Sequence, residues 1–273
     1  MAPPVRIVVA GAGGRMGQAL VEAVLGDAGM TLVGTLDIPG SPEQGCDPGA
    51  RLGRSTSVRT TSDVTAALAG ADVLIDFTRP AGTLVHVAAC AEMRVAAVVG
   101  TTGLAESEQA ALARHATTVP IIFAANMSVG VNVLLSLVET AARSLGPDFD
   151  VEILEMHHKH KVDAPSGTAL RLGEAAAAGL GTHLRDVGIF AREGVTGERK
   201  AGTIGFATLR GGDVVGEHTV MFAGTGERIE ISHCATSRQN FAAGALRAAH
   251  FVAAKRATGI AGLFDMRDVL GLT

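Results

Sequence analysis

The chain is predicted to be an α/β protein: a Rossmann-type, doubly wound parallel sheet followed by a second α+β domain with a mostly antiparallel sheet. Three observations predict it. A short β-branched run, Val5-Arg6-Ile7-Val8-Val9-Ala10, leads directly into a glycine loop and then a helical pattern. Strand and helix signals alternate from there to residue 124, the rhythm of βαβ units. After residue 202 the signals become strands joined by glycine turns, the pattern of antiparallel pairing.

The glycine loop reads Gly11-Ala12-Gly13-Gly14-Arg15-Met16-Gly17. Glycines there let backbone amides approach a pyrophosphate, and the helix start behind them supplies partial positive charge. The spacing departs from G-x-G-x-x-G: Met16 takes the third glycine's place and Gly17 follows one residue later. A second strand, residues 31–37, ends in Asp37, about 20 residues past the loop, where the fingerprint needs an acid. That carboxylate accepts hydrogen bonds from both adenine-ribose hydroxyls and repels a 2'-phosphate. The next residue, Ile38, carries no offsetting cation, so NADH is the preferred cofactor and NADPH a possible one. Arg51, Arg54 and Arg59 lie in or beside the Pro/Gly loop 39–57 and are close enough in sequence to reach back toward a phosphate.

Strands are expected over 72–77, 95–99 and 119–124, with helices over 84–93, led by Pro80 at a helix start, and over 106–115. In such a sheet, ligands bind at the carboxyl ends of the strands. Asp76-Phe77-Thr78, Gly100-Thr101-Thr102 and Ala124-Ala125-Asn126-Met127 all fall there. Each is also ordinary turn chemistry; three in one sheet favour a cofactor crevice.

The second half changes character. Val133, Leu134, Leu137, Val138 and Ala141 mark a connecting helix, and residues 150–155 a strand. Strands 203–210 and 214–223 read as a hairpin around Gly211-Gly212-Asp213, followed by a third strand, 227–233, after Gly224-Thr225-Gly226. A helical tail, 243–255, is expected to return to the first domain. The predicted division is 1–128 with 239–273 for dinucleotide binding, and 129–238 for substrate binding and oligomerisation. No internal repeats are evident.

Composition excludes several classes. A net charge of −4 provides no basic field for nucleic acid, and 3% aromatic residues leave few stacking platforms. No apolar run approaches the ~20 residues of a membrane span, and the N-terminus lacks a signal peptide's apolar core and cleavage site. Cys46, Cys90 and Cys234 are odd in number and widely spaced, which excludes a disulfide framework and suits a reducing cytoplasm.

The chemistry concentrates in residues 155–170, EMHHKHKVDAPSGTAL, with His157, His158, His160, Lys159 and Lys161 in five consecutive positions. On an extended chain, His158 and His160 face one way and His157, Lys159 and Lys161 the other, unless the following turn breaks the pattern. Hydride transfer leaves a carbanion-like centre that needs a proton, and histidine titrates in the right range to supply it. A neighbouring lysine lowers the imidazole's pKa and makes its protonated form a readier donor. Ser166-Gly167-Thr168 at a helix start offers free amides and hydroxyls, a cradle for a carboxylate. So many cationic and donor groups together suggest a substrate with more than one carboxylate. Two competing readings are a zinc site completed by Glu152, Glu155 or Asp163, which adjacent lysines would repel, and a solvated basic loop. His86, His115, His183 and His250 read as surface or packing residues, and His218 and His233 as structural residues of strands.

The segment closely resembles the signature of the 4-hydroxy-tetrahydrodipicolinate (dihydrodipicolinate) reductase family of diaminopimelate and lysine biosynthesis. It matches E-x-H-H-x-x-K-x-D-A-P-S-G-T-A at Glu155, His157, His158, Lys161, Asp163, Ala164, Pro165, Ser166, Gly167, Thr168 and Ala169. The likeness extends through GAGGRMG, DFTRPAGT, GTTG, NMSVGVN, GTIGFATLRGGDVVGEH and SRQNFAAGA. It implies a nicotinamide-dependent reductase of a cyclic dicarboxylate, with His157 as proton donor or acceptor and Lys161 as proton donor. His158, Gly167 and Thr168 would bind substrate. Gly11, Ala12, Gly13, Gly14, Arg15, Met16, Asp37, Gly100, Thr101, Thr102, Ala124, Ala125, Asn126 and Met127 would contact the cofactor, and no metal is implied. A homotetramer joined through the second domains is also implied. Ile38 stands where some relatives carry an arginine for the 2'-phosphate, and Ala125 replaces a common proline. Another dehydrogenase of a small carboxylic acid would share only the first domain, and a non-catalytic NAD sensor would not need the proton machinery.

Overall fold

The run Val5–Ala10 forms β1, and alternate side chains feed two cores, as a strand covered by helices on both faces requires. In this computed structural model, which describes residues 3–237 and 239–272, Ile7 and Val9 pack with Leu20 and Val24 of α1 (Arg15–Gly26). Arg238 of the SRQNFAAGA stretch lies outside the described residues. Then follow β2 (Met30–Leu36), β3 (Thr60–Thr61), α2 (Val64–Leu68), β4 (Val73–Asp76) and α3 (Pro80–Met93). The series continues with β5 (Ala96–Val99), α4 (Glu106–His115) and β6 (Pro120–Phe123). Val8 and Ala10 enter the second core, with Leu68, Val87, Cys90 and Leu112.

Helix α5 (Val129–Leu145) leads into β7 (Asp150–His157), α6 (Gly167–Gly179), α7 (Leu184–Val187) and β8 (Gly188–Ile189). Strands β9 (Ile204–Arg210), β10 (Gly216–Ala223) and β11 (Arg228–Ala235) follow. The chain then returns through α8 (Gln239–Ala257), β12 (Gly262–Phe264) and α9 (Met266–Leu270). It divides into two compact units, Met1–Val129 with Arg238–Thr273, and Gly130–Ser237.

In the first unit all seven strands are parallel, in the order β12-β6-β5-β4-β1-β2-β3. The order reverses between β1 and β4, which is where this fold opens a ligand crevice. The predicted fold class holds, with β3 and β12 added as edge strands too short to leave a periodic signal. Ala245, Ala249 and Val252 of α8 join the Ile7/Val9 core, so the predicted tail packs where apolar surface remains to be covered.

The second unit requires one correction. Its sheet runs β11-β10-β7-β9-β8, so the expected hairpin of 203–210 with 214–223 does not form. Instead β7 lies between the two strands, parallel to β9 and antiparallel to β10, and the sheet is mixed. The Gly211-Gly212-Asp213 stretch crosses the end of β7: Gly211 N–H donates to the His157 carbonyl at 3.0 Å, and His158 N–H donates to the Val214 carbonyl at 2.7 Å. Val151 and Ile153 pack against Leu134 and Val138 of α5 and Leu172 and Ala176 of α6. Among the described residues no helix is long and apolar enough to cross a membrane.

Candidate active site

The first unit gathers the expected cofactor residues at the carboxyl ends of its strands. A Cβ on Gly17 would lie 2.0 Å from the Gly11 carbonyl oxygen, so Gly17 lets α1 press onto the loop, the work expected of a third glycine. The N-cap of α1 is Gly14, with no side-chain acceptor, and the first turn contains no acid. Its first-turn amides therefore lack intrahelical partners, and the residues present fit a dinucleotide pyrophosphate.

Asp37 accepts hydrogen bonds from Gly13 N–H at 2.9 Å and Ile38 N–H at 2.8 Å. A Cβ on Gly13 would meet Asp37 Oδ2 at 2.5 Å and Glu43 Cγ at 2.8 Å, so both side chains press on this glycine. The three arginines that could reach for a phosphate all have protein partners: Arg51 pairs with Glu43 beside the loop, Arg54 with the Leu25 carbonyl, and Arg59 with Asp47. A cavity of about 350 Å³ beside the loop is lined by Ala12, Arg15, Gln18, Glu43 and Arg51 among others.

Behind β4 and β5, buried Asp76 organises the other loops. It accepts from Thr78 N–H at 2.8 Å and the Thr78 hydroxyl at 2.7 Å, and lies 2.8 Å from His86 Nδ1. The hydroxyls of Thr83 and Thr101 meet at 2.7 Å, while Thr102 is exposed. A Cβ on Gly100 would strike the Phe77 ring at 2.3 Å. Ala124 N–H bonds the Val99 carbonyl, Ala125 is exposed, Ser128 N–H bonds Asn126 Oδ1 at 2.9 Å, and Met127 is buried. His86 is thus a polar partner in this loop assembly rather than a surface or packing residue.

The second unit gathers the substrate-side residues. The alternation of β7 turns Glu155 and His157 to the helix-covered face with Val151 and Ile153. His157 Nδ1 lies 2.6 Å from Glu155 Oε2. Arg210, the register partner of His157 on β9, donates to both Glu155 oxygens at 2.8 and 2.9 Å. Ser166 N–H donates to Glu155 Oε1 at 2.9 Å, and the Ser166 hydroxyl caps α6 and contacts His218 Nε2 at 3.1 Å.

The His157 and His218 rings meet edge to face at 5.1 Å. Burial foremost, with Lys161 and Arg210 adding to it, outweighs the raising effect of Glu155 and lowers the pKa of His157. Burial also pushes His218 down to about 4. Desolvation would raise the Glu155 carboxyl, but hydrogen bonds from Arg210, His157 and Ser166 prevail and hold it below its usual range.

Lys161 Nζ lies 2.8 Å from Asp163 Oδ1, and although desolvation would raise the Asp163 carboxyl, Lys161 holds it below its usual range. A Cβ on Gly167 would meet nothing within 4 Å, so the start of α6 is open. Thr168 is half-buried in its first turn. His158 has a buried Nδ1 with no hydrogen-bond partner among the described residues. The strand ends at His157, so the alternation does not reach Lys159 or His160, which are exposed. Among the described residues no group of three or more His, Cys, Asp or Glu is placed to hold a metal ion. Sequence reasoning gave Arg210 no role, read His218 as a structural strand residue, and placed Glu155 in the family signature and among possible metal ligands. A signal was present: an acid and an imidazole at i and i+2 on the apolar face of an alternating strand must find partners.

The sheet, the uncapped helix behind the glycine loop and the acid closing β2 define a dinucleotide-binding oxidoreductase fold. Models of the N-terminus and C-terminus of dihydrodipicolinate reductase match residues 5–127 and 130–270. The chain is 59% identical over 266 residues to the 4-hydroxy-tetrahydrodipicolinate reductase of Cupriavidus taiwanensis, spanning 97% of this chain and 99% of that one. It is 57% identical over 267 residues to the enzyme of that name from Burkholderia multivorans, spanning 98% and 99%. Among solved structures, the dipicolinate-bound dihydrodipicolinate reductase of Paenisporosarcina sp. TG-14 superposes with a TM-score of 0.75 at 24% identity, over 96% of this chain and 97% of that one. The protein belongs to the dihydrodipicolinate reductase family.

Proposed function

We infer that the chain reduces 4-hydroxy-tetrahydrodipicolinate to tetrahydrodipicolinate with NAD(P)H, with loss of water overall, in diaminopimelate and lysine biosynthesis. Residues 1–128 and 239–273 serve the dinucleotide, and 129–238 serve the substrate and the assembly. The observation that carries the substrate site is that Lys161 already holds one carboxylate, that of Asp163, at 2.8 Å, while the start of α6 at Gly167 is open. Lys161 and the Gly167 amide, with Thr168 and the unpartnered Nδ1 of His158, suit the carboxylates of a ring such as the dipicolinate bound by the Paenisporosarcina protein. NAD(P)H supplies the hydride when bound. Gly11, Ala12, Gly13, Gly14, Arg15 and Met16 hold its pyrophosphate, Asp37 its adenine ribose, and Gly100, Thr101, Thr102, Ala124, Ala125, Asn126 and Met127 its nicotinamide end. His157, assisted by Lys161, supplies the proton. A coupled assay fed with the synthase product tests the reading: product-dependent oxidation of NADH or NADPH is expected, and its absence overturns it.

The cofactor preference follows from charge. Asp37 accepts from the Gly13 amide, Arg51 is paired with Glu43, and Ile38 is 72% exposed with no charge to offer. A 2'-phosphate there meets the Asp37 carboxylate, while Arg51 is occupied by Glu43, so kcat/KM is expected to favour NADH by about tenfold, ~1.4 kcal/mol. Ile38→Arg should narrow the ratio; an NADPH preference in the unaltered enzyme overturns this reading.

We also propose a cytoplasmic homotetramer. The face of the second sheet opposite its helices carries Leu154, Met156, Leu209 and Met221, none of them buried, which is apolar surface suited to association with other copies. Light scattering should give four times the 27.7 kDa chain mass, and a monomer at working concentration refutes it.

A further inference from the structure

We infer that Glu155 is the positioning residue for His157: its carboxylate selects the Nδ1–H tautomer, supports the imidazolium that gives up the proton, and ties that donor to the substrate-gripping start of α6. The inference rests on His157 as proton donor.

The geometry leaves Glu155 little else to do. Its side chain is 1% exposed, and its oxygens lie among His157 Nδ1, both Arg210 Nη atoms and Ser166 N–H. Three of those four are unambiguous donors, and the carboxyl is held in its ionised form, so the fourth contact must also be a donor: Nδ1 carries hydrogen. In neutral His157, Nε2 is then the basic nitrogen. A Cβ on Gly216 would come within 3.0 Å of Nε2, so the glycine keeps that nitrogen clear on the β10 side.

Proton bookkeeping is simple. The imidazolium has hydrogen on both nitrogens; Nε2–H breaks, its electron pair stays on Nε2, and the proton forms a C–H bond at the carbon made electron-rich by hydride addition. His157 ends neutral with Nδ1–H still on Glu155, and solvent restores the Nε2 proton. Among the groups around the ring, Lys161 and Arg210 disfavour its charge, and Asp163 is engaged by Lys161. His218 shares the β10 side and is influenced in turn by His157 and by His233 of β11. Glu155 is the group that favours the charged ring. Through Ser166 N–H the same carboxylate fixes the residue that caps α6, so one side chain sets both the donor and the cradle.

The test compares kcat against pH for the full-length enzyme and Glu155→Gln. An acid must be protonated to act, so kcat falls as pH rises through the His157 pKa. Without the carboxylate, burial and the nearby cations act unopposed, and that falling limb should move to lower pH by about one unit or more, a tenfold loss of kcat above it. Because Glu155→Gln leaves Arg210 beside a neutral partner, the double variant Glu155→Gln/Arg210→Gln is measured alongside and should show a moved limb too. Independently, nitrogen-15 histidine spectra of the unaltered enzyme, with His157 identified by loss of its signals in His157→Gln, should show Nδ1–H. An Nε2–H tautomer, or an unmoved limb in a folded variant, overturns the inference even if His157 is the donor. Full activity of His157→Gln instead overturns the donor reading itself.

Discussion

His157→Gln is expected to lower kcat by about 10²–10⁴-fold, the usual contribution of a positioned general acid, while NADH affinity stays unchanged. Glutamine fills similar space and its amide can still donate to Glu155, so the pairing with β7 and β9 survives the change. What it cannot do is release a proton to carbon at neutral pH. The glycine loop and Asp37 belong to the other compact unit, so cofactor binding is not expected to follow kcat. Lys161→Ala should behave differently. Its ammonium is both a proposed carboxylate contact and a cation near His157, so a lower kcat should come with a higher KM. Fluorescence titration with NADH and steady-state kinetics on both variants separate the effects. Full activity in both removes the assignment.

How far the site could be read from sequence depended on whether its parts were local. The glycine loop, Asp37 and the His/Lys run are contiguous signals, and each occupies a strand end or helix start. The Arg210–Glu155 pair spans 55 residues, and it exists because β7 inserts between β9 and β10. Period-two alternation looks the same in parallel and antiparallel strands, so Gly211-Gly212-Asp213 read as a hairpin turn although it crosses over β7. His218 was ambiguous for the same reason. Its place in an alternating strand established burial, but the Glu155 register and the Ser166 contact decide what it faces. His86 met Asp76 across a strand and a helix, a pairing with no local trace.

Gly17→Ala should be among the most damaging single methyl groups in the first unit. The new Cβ would lie 2.0 Å from Gly11 O, 2.7 Å from Gly11 C and 2.8 Å from Ala12 Cα. All three are backbone atoms of the cofactor loop, so no side chain can swing aside, and either α1 or the loop must move. Overpacking of this kind costs about 3 kcal/mol or more when the neighbours cannot yield. It also displaces the amides proposed to hold the pyrophosphate, so NADH affinity should fall together with Tm. The last residue of the same helix is a control. Gly26 has open space where its Cβ would stand, and Gly26→Ala should stabilise the helix by about 0.5–1 kcal/mol and leave NADH binding alone. Thermal unfolding and NADH titration of the two variants side by side separate close backbone packing from helix propensity. If Gly17→Ala matched Gly26→Ala in both measurements, the shifted glycine would not be doing a third glycine's work.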